Sequence, residues 1–262
     1  MYAEERQQAI AELVISKGRA SVAELAQAYD VTTETVRRDL AALDRAGVLR
    51  RVHGGAVPTR ALHLVEPGVG ERETTRADYK DAIAEAATEF FPLTGASVLL
   101  DAGTTTARIA NQLPTDRELL VVTNSVPIAA RLASVPTISL QLLGGRVRGI
   151  TQAAVGEQAL RVLDNLRVDI AFIGTNGISA RHGLSTPDSD EAAVKRAMVA
   201  CANYVVVAAD STKVGREDFI SFAPISSVDT LITDAEISDA DRRILTDAGV
   251  EVIATGATGG LA

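Results

Sequence analysis

The sequence predicts an α/β protein in two parts: a small helical head closed by a β-hairpin, then a larger body built on a mostly parallel sheet. Three observations carry that reading. Helical periodicity and a tight turn occupy the chain up to Gly47, and Val48–Val57 after it has the composition of two strands around a glycine turn. From Asp78 onward, short apolar runs rich in branched residues alternate with helical segments, the pattern of strands covered by helices on both faces. Between these regions, PTRALHLVEPGVGERETTRA at 58–77 contains Pro58, Pro67, Gly68 and Gly70 without sustained periodicity. The expected division is a domain over 1–57, a linker over 58–77 and a second domain over 78–262, which 262 residues are enough to form.

In the head, residues 4–16 read as a first helix with Ile10, Leu13 and Val14 on its inner side and Gly18 at its end. Ser21 with Glu24 three residues on is a capping-box start, each side chain satisfying a free backbone N–H of the other. Tyr29-Asp30-Val31 breaks that short helix, and Thr32 can cap the next one. In the second helix Val36, Leu40 and Leu43 fall at i, i+4 and i+7, a single buried stripe, while Thr33, Thr35, Arg37 and Arg38 project elsewhere near its start. This is the layout of a recognition helix in a winged helix-turn-helix, whose first turns meet base edges while the stripe seats it on its domain. Arginine can bond guanine bidentately, and threonine can bond bases or phosphates and touch the thymine methyl. Arg50, Arg51 and His53 on the hairpin can reach the backbone or an adjacent groove. With the cap residues Ser21 and Thr32 these form the candidate DNA-contacting set. A lone arginine pair on a helix is ordinarily a solvated face; the ordered set points to DNA.

Composition agrees with a packed globular chain, 47% apolar and 23% charged. No run of about 18 apolar residues is present for a membrane span, and the charged start MYAEERQQAI lacks the apolar core of a signal peptide. The single cysteine, Cys201, excludes an internal disulfide, and the three histidines form no metal-ligand spacing, so no metal and no resident cofactor are expected. A cytoplasmic location is the simple reading. The net charge of −8 is unevenly spread. Residues 1–60 hold nine Lys/Arg against eight Asp/Glu, residues 32–60 six against three, and residues 61–262 carry the whole negative excess. Phosphate binding responds to the local balance, so the overall acidity does not exclude DNA.

In the body, a helix from Asp78 shows Tyr79, Ile83, Ala86, Ala87 and Phe90 on one side until Pro92. Strands are expected at Val98–Leu100, Leu119–Val122, Thr137–Leu143, Val168–Ile173, Tyr204–Ala209, Thr230–Ile232 and Val250–Ala254. Helices are expected near 104–113, 126–134, 156–166, 189–202 and 238–248. In such sheets ligands bind beyond the carboxyl ends of strands. Four strand-end loops carry small polar residues. In the first, Asp101-Ala102-Gly103-Thr104-Thr105-Thr106, glycine admits close backbone approach, three hydroxyls donate, and the following helix presents free N–H groups, together an anion cradle. Thr123-Asn124-Ser125 is the second and Gly144-Gly145-Arg146 the third. The fourth is Gly174-Thr175-Asn176-Gly177-Ile178-Ser179, continuing through Gly183 to Asp188. Each alone is an ordinary turn; four at one end of a sheet point to a shared pocket. Glu191 and Lys195 are i, i+4 on the helix that follows, where a plain exposed salt bridge is the bland alternative. Lys213 lies beyond the strand ending near Asp210 and is the first candidate for the cation an anionic ligand needs. Arg146 and Arg148 can equally be plain surface.

At these residues the chain resembles a known family. Glu-Arg-Gln at 5–7, Ser-Val-Ala-Glu-Leu at 21–25, Thr-Val-Arg-Arg-Asp-Leu at 35–40 and Arg-Val-His-Gly-Gly-Ala at 51–56 are similar to the DeoR family of bacterial transcription regulators. DAGTTT at 101–106, VVTNS at 121–125, LLGGRVR at 142–148, GTNGIS at 174–179, GLSTPD at 183–188, EAAVKRAM at 191–198 and ADSTKVG at 209–215 resemble its sensor motifs in order. The resemblance implies a winged helix-turn-helix, operator binding, and repression relieved by a phosphorylated sugar held in an α/β sensor domain whose fold resembles sugar-phosphate isomerases. It implies that Gly103, Thr104, Thr105 and Thr106 hold phosphate while Asp101, Asn124, Glu191, Lys195 and Lys213 meet sugar hydroxyls or phosphate. Thr123, Gly144, Gly145, Arg146, Thr175, Asn176 and Gly177 complete the effector-binding candidates. The wording TTETVRRDL with GTNGIS and GLSTPD resembles in particular actinobacterial fructose or phosphotransferase-system repressors. One departure is Tyr79-Lys80, where many relatives have Glu-Lys, which puts a domain-coupling salt bridge there in doubt.

The expected function is a DNA-binding repressor of carbohydrate-metabolism genes, working as a homodimer or homotetramer on duplex operator DNA. An effector controls it by binding one conformation better than another. The rival from another class is a sugar-phosphate isomerase carrying a DNA module, with Asp188, Asp190 and Glu191 near a lysine as its acid–base groups. An activator shares every residue with the repressor.

Overall fold

The computed structural model describes residues 3–17, 20–45, 48–52, 54–58 and 68–256, and the chain falls into two compact units, Met1–Leu64 and Val65–Ala262. In the first unit, α1 (Ala3–Lys17) precedes β1 (Ala20–Ser21), α2 (Val22–Ala28), α3 (Thr33–Arg45), β2 (Leu49–Val52) and β3 (Gly55–Pro58). Ile10 and Val14 of α1, Leu25 of α2 and Val36, Leu40 and Leu43 of α3 meet Leu49 and Ala56 in one buried cluster. The capping box forms as the sequence implies: Ser21 Oγ accepts the Glu24 N–H at 3.1 Å and Glu24 Oε2 accepts the Ser21 N–H at 2.7 Å. Asp30 makes the turn between α2 and α3 with φ 50°. Gly18 and Gly47, read as helix ends, lie outside the described residues.

Two features of the head exceed the sequence reading. Asp39, 3% exposed on α3, accepts from Arg6 Nε at 2.7 Å and Gln7 Nε2 at 3.0 Å, pinning α1 to α3 by a charged contact. The wing is three-stranded in the order β1-β3-β2, because Ala20 and Ser21 pair with Ala56 and Gly55. Gly55 is required there: a Cβ would stand 2.3 Å from the Ala20 carbonyl oxygen, with backbone on both sides. Gly55→Ala is therefore expected to destabilise the head by roughly 1–3 kcal/mol through overpacking, read as an earlier head transition in urea.

The second unit opens on a correction. Residues 69–74, inside the segment expected as a linker, form helix α4 (Val69–Thr74), followed by α5 (Ala77–Ala86) and a 3-10 turn over Ala87–Phe90. No apolar stripe marks α4 because none of its side chains is buried. It is held by polar contacts from elsewhere: the Val69 N–H donates to the Ile150 carbonyl at 3.0 Å, and Arg108 reaches the Glu73 carboxylate at 2.8 Å.

The body then runs through β4 (Ser97–Leu100), α6 (Thr104–Asn111), β5 (Leu119–Thr123), α7 (Val126–Leu132) and β6 (Ile138–Leu142). The hairpin β7 (Arg146–Arg148) and β8 (Ala153–Val155) leads to α8 (Glu157–Leu163) and β9 (Ile170–Ile173). After β10 (Gly177–Ser179) and β11 (Gly183–Thr186) come α9 (Ser189–Cys201), β12 (Val205–Ala208) and β13 (Ile220–Ala223). The last elements are β14 (Thr230–Asp234), α10 (Asp239–Asp247) and β15 (Glu251–Thr255). Seven strands pair in parallel in the order β15-β14-β12-β9-β4-β5-β6. Successive side chains of a strand face opposite ways, so Leu99 packs in one core and Val98 and Leu100 in the other. Every strand and helix expected in the body is present to within a few residues. The Gly174–Asp188 stretch, read as loop, instead contains β10 and β11, which join β13 in a small antiparallel sheet.

Strand order fixes where a ligand can go. From β4 the chain proceeds to β5 and β6 on one side, while β9, β12, β14 and β15 extend the other. The loops leaving β4 and β9 therefore turn to opposite faces, leaving the crevice that open α/β sheets use for ligands.

Candidate functional site

On the head, α3 presents Thr33, Arg37 and Arg38 to solvent and Thr35 at half burial. The Arg37 and Arg38 side chains are 55% and 82% exposed, with Glu34 at 3.6 and 3.9 Å. Exposed pairs of this type contribute little, so both guanidinium groups remain available to a polyanion. Thr32 Oγ1 accepts the Thr35 N–H at 3.2 Å and lies 2.9 Å from Thr35 Oγ1, so these two hydroxyls cap the helix start. Ser21 is likewise committed to its capping box. Arg50 and Arg51 lie on β2; their side chains, and His53, fall outside the described residues.

In the second unit a cavity of about 330 Å³ opens at the carboxyl ends of β4, β9 and β12. Its floor is the Ala102–Thr106 turn and the start of α6. Gly103 caps α6 without a side-chain hydrogen bond, which leaves the first N–H groups of the helix for a ligand, with the positive end of its dipole behind them. Gly174, Thr175 and Asn176 after β9 form one wall. Thr175 Oγ1 is spent on the Gly177 carbonyl at 2.8 Å, and Asn176 Oδ1 accepts from Thr186 Oγ1 at 3.2 Å.

Charge dominates the rest of the lining. Six cations, Arg72, Arg76, Lys80, Lys195, Lys213 and Arg216, stand against three acids, Glu71, Glu191 and Asp210. Lys195, 4% exposed, donates to Asp101 Oδ2 and to the Gly174 carbonyl at 2.9 Å. Asp101, 1% exposed beneath the cavity, also accepts the Gly174 N–H at 3.0 Å, and burial pushes its carboxyl up against the pull of Lys195. Glu191 is braced by Arg148 at 2.5 Å and by the Thr151 hydroxyl. No hydrogen bond or ion pair among the described residues engages the Lys213 ammonium. Burial first, then the neighbouring charges of Arg216 and Arg72, lowers its pKa. Lys80 donates to the carbonyls of Arg72 and, at 2.5 Å, Thr75. Burial lowers its pKa to about 8, helped by Arg108 and Lys213. The Arg216 Nε is buried without a partner. Such crowding of cations is relieved by an anion.

Of the sequence-derived candidates, Gly103, Thr104, Thr105, Thr106, Thr175, Asn176, Glu191, Lys195 and Lys213 line this cavity, and Asp101 lies just behind it. Thr123, Asn124, Gly144, Gly145, Arg146 and Gly177 do not line it. Thr123 Oγ1 is buried against the Leu100 carbonyl at 2.6 Å, and Asn124 Oδ1 accepts the Ala102 N–H at 2.9 Å, shaping the turn from below. Arg146 is an exposed partner of Asp190 at 2.5 Å. A Cβ on Gly145 would meet the Val155 carbonyl oxygen at 2.4 Å, so the third loop's glycine serves its hairpin. A Cβ on Gly177 would stand 2.7 Å from the Arg216 carbonyl oxygen, so that glycine admits the loop bearing Arg216. Arg72, Arg76, Lys80 and Arg216 were missed as site residues. Arg72 and Arg76 lie on or beside α4, which gave no periodic signal, Lys80 lies on α5, where the sequence reading marked only the apolar side, and Arg216 is only three positions past Lys213. Among the described residues no group of three or more His, Cys, Asp or Glu is placed to hold a metal, and no helix is long and apolar enough to cross a membrane.

A helix-turn-helix head followed by a cation-lined pocket on a parallel α/β sheet defines the class of ligand-responsive DNA-binding regulators. The chain belongs to the DeoR family: residues 6–60 match the DeoR-like helix-turn-helix domain and residues 75–235 the DeoR C terminal sensor domain. It is 38% identical over 249 residues to the HTH-type transcriptional regulator GlpR of Haloferax volcanii, covering 95% of this chain and 96% of that one. It is 30% identical to the glycerol-3-phosphate regulon repressor of Escherichia coli K12, covering 95% and 97%. Among solved structures, ribose 5-phosphate isomerase A from Methanocaldococcus jannaschii aligns over 54% of this chain and 56% of that one. Its TM-score of 0.41 and 19% identity are too low to carry any inference about activity. The relatives are named as transcription regulators, so the protein is a regulator and the isomerase reading is set aside.

Proposed function

We propose that this regulator is a cytoplasmic repressor of carbohydrate-metabolism genes whose hold on operator DNA is set by a phosphorylated sugar in the cavity of the sensor unit. The observation that carries the effector is the excess of cations, six against three acids, around an uncapped helix start in a chain of net charge −8. In this reading Thr104, Thr105 and Thr106 N–H groups with Lys213, Arg216 and Lys80 take the phosphate. Glu191, Asn176 and the Lys195–Asp101 pair face the sugar hydroxyls. The repressor name of the Escherichia coli relative supports the sign of regulation. Helix-turn-helix proteins read paired half-sites, so a homodimer or homotetramer is the working state.

The test is a thermal-shift screen of hexose and pentose phosphates beside the unphosphorylated sugars, repeated with operator present. A ligand at a hundred times its Kd stabilises by about 2.7 kcal/mol, easily read. Stabilisation by phosphorylated members alone is the expected result. Equal stabilisation by the free sugars, or turnover of a sugar phosphate by the purified protein, sinks the proposal. On the head, Arg37→Ala and Arg38→Ala should each weaken operator binding by roughly 1–3 kcal/mol. Unchanged affinity in both variants removes α3 as the reading helix.

A further inference from the structure

We propose that Arg76 is a positioning residue that couples occupancy of the anion cavity to α4, the first element of the sensor unit reached by the chain coming from the wing. This rests on the anionic-effector reading above. Arg76 separates α4 from α5 and adopts the left-handed conformation, φ 53° and ψ 41°. A residue with a side chain persists there only when its surroundings over-determine it. Here they do. Arg76 Nη2 donates to Asp234 Oδ1 at 3.0 Å and Glu236 Oε2 at 2.8 Å, and its Nε lies 3.6 Å from Asp210 Oδ1. The guanidinium stacks 3.9 Å over the Tyr79 ring, whose hydroxyl donates to Glu236 Oε1 at 2.5 Å.

The same carboxylates shape the turn that carries Lys213. Asp234 Oδ2 accepts the Ser211 N–H at 2.8 Å, Asp210 Oδ1 accepts the Thr212 N–H at 3.2 Å, and the Lys213 N–H donates to the Asp210 carbonyl at 3.0 Å. One arginine thus joins the end of α4 to the turn bearing the cavity's cation. None of the side chains of α4 is fully buried, and charged and polar contacts hold it. Glu71, Arg72, Thr75 and Arg76 contribute its side of the cavity. An anion there gains partners on α4 and on the Lys213 turn together, so an occupied cavity grips α4 more firmly than an empty one. Arg76 sets the register in which they meet. That is a local element whose equilibrium the ligand biases, the physical requirement for coupling.

Glu236 anchors Arg76 from outside the cavity, so its substitution loosens the latch and leaves the lining intact. The experiment uses the full chain, with inorganic phosphate and fructose 1-phosphate as probes and a duplex selected by the wild-type protein from a randomised pool. It reads amide exchange over 69–76 and the ratio of probe Kd with and without duplex, which equals the coupling between the two sites. In the wild type, fructose 1-phosphate should slow exchange over 69–76. In Glu236→Ala that ratio should fall at least fivefold toward one while the probe still binds the free protein, and Glu236→Gln should fall between. The wild-type ratio retained in Glu236→Ala overturns the role of Arg76 and leaves the effector reading standing, whereas a wild-type ratio of one overturns both. Failure of the wild type to bind either probe overturns both.

Discussion

Lys195→Met is expected to destabilise the sensor unit by about 3–5 kcal/mol, the usual cost of stripping one partner from a buried ion pair. Lys195 and Asp101 are 4% and 1% exposed, and Asp101 Oδ1 already lacks a partner. With the ammonium gone, the Gly174 N–H is all that remains to its carboxylate. Burial then raises the Asp101 pKa further above its unfolded value. A carboxyl with a raised folded pKa stabilises fully below the unfolded pKa, and that stability is lost as pH rises through the folded one. The deficit of the variant should therefore be small in acid and grow toward neutrality. The double variant Lys195→Met with Asp101→Asn should recover much of the loss, since a neutral amide can still accept from Gly174 and no charge is stranded. Urea unfolding followed by far-UV circular dichroism at acid and neutral pH measures this. Equal deficits at both pH values would show that Lys195 acts through packing.

Much of this architecture is legible in the sequence because parallel strands buried on both faces read as continuous apolar runs, and these are the runs at β4, β5, β9 and β12. The head is legible for the complementary reason: caps and a 3.6-residue stripe announce short helices. The antiparallel strands β10 and β11 escape notice because Gly-Ile-Ser and Gly-Leu-Ser-Thr are short and polar, and pairing with β13 makes them strands. The site is half legible. Small polar residues at strand ends mark the loops, yet the sequence lacks the strand order that decides which loops share a crevice. Asn124 and Asn176 have identical chemistry, but Asn124 lies two strand ends away from the β9 wall and buttresses Ala102 from beneath. Arg72 and Arg76 stay hidden because α4 forms through contacts with Ile150 and Arg108, far off in the chain.

Lys213→Ala is expected to leave operator binding unchanged in the absence of effector and to raise the effector concentration needed for release by roughly 10- to 100-fold. The magnitude follows from a hydrogen bond to a charged group, roughly 1.5–3 kcal/mol, at about 1.4 kcal/mol per decade. Lys213 is the natural place for this loss because its ammonium holds no ion pair that removal would strand. The pH dependence adds an independent signature through Lys80, whose pKa is lowered to about 8. Between that value and the unfolded lysine pKa the unfolded chain binds more protons, so this group's contribution to stability rises with pH and is lost as pH falls through about 8. Effector binding must run the other way. A neutral Lys80 offers an anion no charge, so affinity should decline above about pH 8 while the fold tightens. Below about pH 6 the phosphate itself loses its second charge, so affinity should also decline there. Calorimetric titration across this range checks both limbs. A Lys213→Ala protein that responds at the wild-type effector concentration would place the lysine in solvent, outside the phosphate's reach.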